Sequence, residues 1–519
     1  MTEKRILIAS ALSALLMVWY AKLMARHQPV PTHPTAIQGN GPLNGTKKLI
    51  VDDSFLLEQE DVTFIESDRL RLEIGKRSGQ IRKATLKEFK DLSSGQAIRF
   101  GTDQPLFRIS VDGKPLVYQL ADSGEKRIAW NAKDNKDKEY NISYELNNYN
   151  YLLKLELNSI NIEKEHGEAF PLEIISSWTK GDALGDRYNQ LETVLLTDRT
   201  AQWQREYLRY FRQRVPRSVP RGTKLITISD RYFCQSYKPS VPGILITLHS
   251  SKDGAAVVNG LFPVPVSEDG SVKFSAEIYI GSRDYFHLKE SGFEKAFPVG
   301  FLGQVGLGLL LGLSAIARIT HNYGIAVILF SILITCFLAP FTLVSLKSMK
   351  KMQQLKPQMD KIMARHKDNP QKANLEVLAL YKENKVSPLS GCLPMLLQFP
   401  ILMAMFGAIS HFIELRGKSF LWIRDLSLPD RLAALPVSIP LIGNEVNALP
   451  VIMAIVMFFQ SKKTQQQMPQ SSGNPMASMM SGPMMSVLFG VMFYSFPSGL
   501  VLYWLTNSIM SILWLRLVR

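Results

Sequence analysis

The stretch "YGIAVILFSILITCFLAP", Tyr323 to Pro340, carries no charged residue, yet Ser331 and Thr335 stand four residues apart inside it, with Thr342 and Ser345 further along. Steps of four and seven residues return to nearly the same side of a 3.6-residue helix, so these hydroxyls share one face. A second stripe, Tyr503, Asn507 and Ser511, repeats the four-residue spacing near the carboxyl end beside Trp504, and Gln398 sits in another apolar run. The chemistry open to such residues is uncharged hydrogen bonding. Helix hydroxyls can bond back to carbonyls one turn earlier and so rest cheaply in lipid. An amide cannot, and left unpaired in hydrocarbon it costs about 2 to 7 kcal/mol. Asn507 and Gln398 are therefore the informative members of the set, and they call for a partner or water.

Covalent chemistry has less to work with. No phosphate loop, convincing Ser/His/Asp constellation or persuasively placed pair of carboxylates is visible. Cys234, Cys336 and Cys392 are too few and too scattered for a disulfide framework or a zinc site. The reading is of a non-enzyme with no metal and no cofactor.

The elements that must position these residues follow from hydropathy. The chain has 519 residues, 46% of them hydrophobic, and a formal net charge of +15. Residues 50–290 are polar and charged, whereas most of 299–519 is a series of apolar runs long enough to cross a bilayer, which takes about 20 helical residues. The positive charge clusters beside those runs, as expected where Lys and Arg hold loops in the cytoplasm, so no specific DNA partner is implied.

Met1 to Arg26 reads as a retained amino-terminal transmembrane anchor, and residues 27–47 as a flexible Pro- and Gly-rich linker. Residues 48–290 switch to a period of two: "LRLEI" returns through "GKRSGQ", "YNISYEL" and "YLLKLEL" flank "NNYN", and "AEIYIG" closes the region. These alternations predict a large antiparallel β-sandwich on the periplasmic side. Residues 297–519 form the membrane domain, beginning with an interfacial helix over 297–317, which five glycines and Gln304 dilute. Spans are expected at 323–344, 389–413, 447–460, 483–497 and 500–517. Ser345 to Pro388 holds ten Lys or Arg against four Asp or Glu and reads as a cytoplasmic helical hairpin. Both termini then lie in the cytoplasm. The hairpin's Lys347, Lys350, Lys351 and Lys356 are candidate contacts for ribosomal RNA or a targeting receptor, although a solvated face beside anionic lipid accounts for them equally. The Met-rich stretch Asn474 to Ser486 suits an adaptable apolar surface or simple core filling.

Four motifs, "NYGIAVILF" at Asn322, "MKKMQQLKPQMDKI" at Met349, "NKVSPLSGCLPMLLQFPI" at Asn384 and "FPSGLVLYWLTN" at Phe496, occur in this order after the β region. Together they resemble the YidC/Oxa/Alb membrane protein insertases, in the form found in Gram-negative bacteria. The resemblance implies a five-helix α-helical membrane bundle besides the anchor, in the bacterial inner membrane, enclosing a polar groove open to cytoplasm and lipid and closed outside. A nascent membrane protein would slide along it while its short polar flank enters the groove, without nucleotide hydrolysis. Nascent chains and membrane lipid are the implied partners, with the ribosome, a signal-recognition receptor and the Sec translocon as further candidates. The groove residues carried over are Ser331, Thr335, Gln398, Tyr503, Trp504, Asn507 and Ser511. One departure stands out: relatives carry an arginine five residues before the proline that matches Pro340, and here that position is Thr335. The competing readings are a transporter or channel, which lacks internal repeats and intramembrane charge here, and a carbohydrate-binding role of the β domain.

Overall fold

The computed structural model describes residues 60–517 except 92–93, 102–104, 112–113, 134–137, 161–168, 179–190, 198–203, 208–216, 220–221, 251–254, 298–300, 367–368, 387–392, 440–442 and 468–482. The expected anchor over 1–26, the linker over 27–47 and most of the Met-rich stretch lie outside the described residues. Two compact units divide the rest at Val299 and Gly300.

The first unit is antiparallel β throughout its described pairings, in one sheet of ten strands and one of nine. Alternation in the sequence becomes alternation in burial. In the strand Leu152–Ser159, Leu153, Leu155 and Leu157 are buried, and they pair with Leu146, Tyr144 and Ile142 of Glu139–Leu146 on one side. On the other side the same strand pairs with Val272–Ser282, Leu155 opposite Ala276. A one-residue slip would turn every one of these side chains to the opposite face, so burial fixes the register. The turn in "GKRSGQ" joins Leu70–Gly75 to Ile81–Lys90. Gly79 there has φ 60°, and a Cβ added to it would lie 2.6 Å from the Tyr118 ring, so conformation and space both demand glycine. Aromatic rings fill the core: Phe100 stacks on Trp178 with centroids 4.3 Å apart, and Trp130 meets Tyr144 edge to face.

A short helix α1 (Tyr285–Glu290) follows the last strand of this unit, and Asp284 caps it by accepting from the backbone N–H groups of Phe286 and His287, each at 3.0 Å. The other Asp284 oxygen meets His287 Nδ1 and the Ser282 hydroxyl. Burial is the largest influence on both ionisable groups and opposes charge on each, but hydrogen bonding and mutual attraction outweigh it. His287 is thereby raised from its ordinary value of 6.5, and Asp284 is held below its ordinary 3.8. Glu88 favours the cationic imidazole and Arg69 opposes it. The His287 contribution to stability is complete below its ordinary value and disappears as pH climbs through the raised one. The Asp284 contribution is complete above its ordinary value and disappears as pH falls through the lowered one. His287→Gln should therefore lower the melting temperature more at about pH 5.5 than at about pH 9, as thermal unfolding of the full chain at the two pH values would show.

The second unit is helical. Its described helices are α2 (Phe301–Thr320), α3 (Tyr323–Arg365), α4 (Pro370–Glu383), α5 (Leu393–Ser410), α6 (Ala448–Gln467), α7 (Pro483–Phe493) and α8 (Ser498–Leu517). Asn322 caps α3 by accepting from the Ile325 N–H at 3.1 Å, and Asn369 caps α4 in the same way through Lys372, with Pro370 at its first turn. Helix α3 is 43 residues long and continues through Pro340 and Pro357, so the apolar segment from Tyr323 and the first arm of the basic hairpin are a single helix. Among the described residues, α3 and α8 are long and apolar enough to cross a membrane. Their packing, with α2, α5, α6 and α7, buries a continuous core that includes Leu313, Val327, Met405, Ile409, Met453, Phe493 and Val501. A separate cluster, Met352, Leu355, Met359, Tyr381 and Val386, holds the hairpin arms together.

Candidate functional site

Helix α8 brings the site together. Its polar residues recur every four positions, and each step of four advances about 40° around the helix, so the stripe winds past its neighbours. Each polar residue consequently meets a different helix. Tyr503, fully buried, accepts from Gln398 Nε2 of α5 at 2.8 Å. Asn507 Oδ1 accepts from the Thr335 hydroxyl of α3 at 2.6 Å. Ser511 accepts from Gln460 Nε2 of α6 at 3.0 Å. Trp504, between the first two levels, points its indole N–H at Met457 Sδ, 3.3 Å away, and stacks on Phe489. These bonds tie three helices to α8 through neutral groups alone. No Asp, Glu, Lys or Arg occurs in Tyr323–Leu346, Leu393–Ser410, Pro483–Phe493 or Ser498–Leu515.

The α3 hydroxyls also bond within their own helix, as their spacing allows. Ser331 donates to the Val327 carbonyl at 2.6 Å and is fully buried, while Thr335 reaches the Ser331 carbonyl at 2.8 Å and Thr342 that of Leu338 at 3.1 Å. Ser331 thus contributes little free hydrogen-bonding capacity, and the Thr335–Asn507 level carries the polarity between α3 and α8.

One end of this bundle is closed by the segment 411–431, which lies over the amino-terminal ends of α3 and α8. The N–H groups of Ser498 and Gly499 donate to the carbonyls of Leu428 and Leu426, each at 2.8 Å. A Cβ on Gly324 would lie 2.0 Å from the Phe420 ring, so the close approach at that end of α3 requires glycine. Glu414 accepts from the Tyr323 hydroxyl and from Ser314 Oγ of α2 at 3.3 Å. Asp430, 3% exposed, accepts with one oxygen from the N–H groups of Ala448 and Leu449 at 2.8 Å each and from Trp422 Nε1 at 3.2 Å. Sequence reasoning passes over Gln460, Glu414 and Asp430. Gln460 carries the same signal as Gln398, an amide at the edge of an apolar run, whereas the two acids sit in loops where periodicity carries no information.

Lys347, Lys350, Lys351 and Lys356 are all exposed on the far part of α3, interleaved with buried Met349, Met352 and Leu355. They belong to the hairpin and not to the level of Thr335 and Asn507.

An antiparallel β domain followed by an apolar helical bundle, its polar groups neutral and paired across mid-helix, defines a two-part chain whose longest helices can cross a membrane. The chain is similar to proteins of the YidC/Oxa family. Residues 315–519 match the family described as 60Kd inner membrane protein. A membrane protein insertase YidC of Endomicrobium trichonymphae is 36% identical over 297 residues, 56% of this chain and 54% of that protein. Its namesake in Pelobacter propionicus is 28% identical over 555 residues, 98% of each chain. The match thus spans about half of the first relative and nearly all of the second. A solved structure of an active YidC insertase with its first transmembrane domain resolved shares 18% identity over 88% of this chain and 93% of that one, at a TM-score of 0.37.

Proposed function

We propose that this chain is a membrane protein insertase of the bacterial inner membrane, which receives nascent membrane proteins and passes their short polar flanks through the helical bundle. The observation that carries the reading is the Thr335–Asn507 hydrogen bond between two segments, Tyr323–Leu346 and Ser498–Leu515, that hold no charged residue. Polar side chains in lipid-spanning helices are costly and mark the path of a substrate or ion. The names of the relatives supply the substrate class. Closure of one end by the segment 411–431 agrees with a groove that a client enters from the other side. Ser331, Thr335, Gln398, Tyr503, Trp504, Asn507 and Ser511 line that groove in this reading, and it is wet from the cytoplasm.

The topology that goes with it has both termini in the cytoplasm, the β domain in the periplasm, α2 in the outer interface and five spans besides the anchor. Lys347, Lys350, Lys351 and Lys356 then face the ribosome, a targeting receptor or anionic headgroups, and the Sec translocon is a candidate associate. Insertion needs no covalent step, because the driving force is transfer of the client's apolar segment into lipid, at about 25 cal/mol per Å² of apolar surface.

A photocrosslinker at Thr335, with Leu329 on the lipid-exposed side of α3 as control, tests this during synthesis of a short membrane protein. Leu329 is 41% exposed. Labelling of the nascent chain from position 335 and not from 329 is expected; equal labelling from both would remove the groove from the reading.

A further inference from the structure

We infer that the turn 420–423 is a lipid anchor: its apolar tip, Leu421 and Trp422, enters the leaflet at the closed end of the bundle, and the flanking Lys418 and Arg424 hold the headgroups of anionic phospholipid. The inference rests on the insertase reading, which places the helices across a bilayer and this end on its outer side.

The turn is tight. Phe420 and Ile423 exchange both backbone hydrogen bonds, each at 2.9 Å, so Leu421 and Trp422 are its two central residues. Leu421 has φ 52°, in the left-handed region where two-residue hairpins ordinarily place glycine or asparagine. It is also 75% exposed. A leucine here strains the backbone and buries little against the protein, so neither conformation nor packing favours it over glycine. An apolar medium outside the protein would. At Trp422 the indole N–H donates inward to Asp430 at 3.2 Å while 39% of the residue stays exposed, so the side chain spends its one polar group on the protein and turns aromatic carbon outward.

The neighbours of the tip identify what covers it. Phe420 packs so closely on Gly324 that a Cβ there would lie 2.0 Å from the ring. Gly324 precedes Ile325, the first of four exposed apolar residues that recur every four positions on α3, followed by Leu329, Leu333 and Phe337. That face meets lipid in the insertase reading, and the tip prolongs it past the end of the helix. The local charge suits anionic headgroups. Lys418 and Arg424 are exposed on either side of the turn, whereas Glu414 is engaged by Tyr323, and Asp425 and Asp430 are buried. Basic side chains beside an apolar tip can lay their stems along it and hold their charge at the level of the phosphates.

The test uses the full chain in liposomes with and without phosphatidylglycerol, its three native cysteines replaced by serine and a single new cysteine carrying an environment-sensitive fluorophore. Leu421→Cys reports on the tip, Tyr149→Cys on water and Leu333→Cys on the bilayer interior. Because Leu421 and Tyr149 are largely exposed, replacing them leaves the packing intact. Label at 421 should be quenched about three-fold more by lipid with a nitroxide near its headgroup than by iodide present on both sides, and label at 149 should show the reverse. Adding Lys418→Gln and Arg424→Gln should weaken the lipid quenching at 421 about two-fold with phosphatidylglycerol and leave it unchanged without that lipid. Unchanged quenching in both liposomes would overturn the role given to the two cations. Iodide quenching at 421 equal to that at 149 would put the tip in water, and quenching by neither agent would put it against protein; either result overturns the anchor and leaves the insertase reading standing. Label at 333 beyond the reach of every nitroxide lipid would mean that α3 does not cross the bilayer, which removes that reading and this inference with it.

Discussion

Replacing Thr335 with arginine should raise insertion of acidic-flanked clients over neutral-flanked ones by about ten-fold. A cation at this position would sit beside Asn507, between the segments Tyr323–Leu346 and Ser498–Leu515, which contain no other charge. Two unit charges 4 Å apart attract by about 4 kcal/mol at an effective dielectric of 20 and by about 1 kcal/mol in water. A ten-fold preference needs only about 1.4 kcal/mol, which lies between the two limits for a wet groove. Building the arginine in would cost about 2.5 to 3.5 kcal/mol on insertion scales, so the variant's own yield should fall. The ratio of client products per folded insertase, and not the total, is therefore the quantity to measure. Equal ratios for Thr335→Arg and the parent would mean that flank charge is not sensed at this level of the bundle. A strong acidic preference already present in the parent would place the cation that senses it elsewhere, with the exposed lysines of α3 the first to examine.

The same residues show what can be read from sequence and what cannot. The β domain announces itself because a half-buried strand must alternate: Leu153, Leu155 and Leu157 are buried, and the charged residues Lys154 and Glu156 fall between them. The α8 stripe is legible for the corresponding helical reason, through the spacing of Tyr503, Asn507 and Ser511. Their partners are another matter. Spacing fixes a direction around one helix, whereas the choice of α5, α3 or α6 depends on how four helices pack, and that is a property of long-range contacts. The length of α3 escapes for a different reason. Pro340 and the onset of lysines at Lys347 suggest an end, but a proline removes only one donor, and the turns on either side keep their own ladder bonds. The closing segment is the least legible part. Glu414 and Asp430 act through backbone N–H groups and a tyrosine hydroxyl that the chain brings to them from far along the sequence.

Asp430 leads to a large stability effect for a single polar side chain of the helical unit. One of its oxygens satisfies the N–H groups of Ala448 and Leu449 at the start of α6, each at 2.8 Å, and holds the Trp422 indole at 3.2 Å. The first N–H groups of a helix have no intrahelical partner, and here water has little access, since Asp430 is 3% exposed and Leu449 2% exposed. Losing a helix cap costs about 0.5 to 2 kcal/mol, and each buried donor stranded by the loss adds about 1 to 3 kcal/mol. Asp430→Ala should therefore destabilise the bundle by at least about 2.5 kcal/mol, read as a lower melting temperature of the purified chain in lipid nanodiscs. Asp430→Asn keeps an acceptor for the same N–H groups and should recover more than half of that loss. The closing segment provides the second readout. With the cap gone, Trp422 is released, and a cysteine placed at Leu426, fully buried in the parent, should become reactive toward a membrane-impermeant thiol reagent. Melting temperatures of Asp430→Ala and the parent within a degree of each other would mean that α6 begins without this carboxylate, and that the segment is held by Leu426, Leu428 and the start of α8 alone.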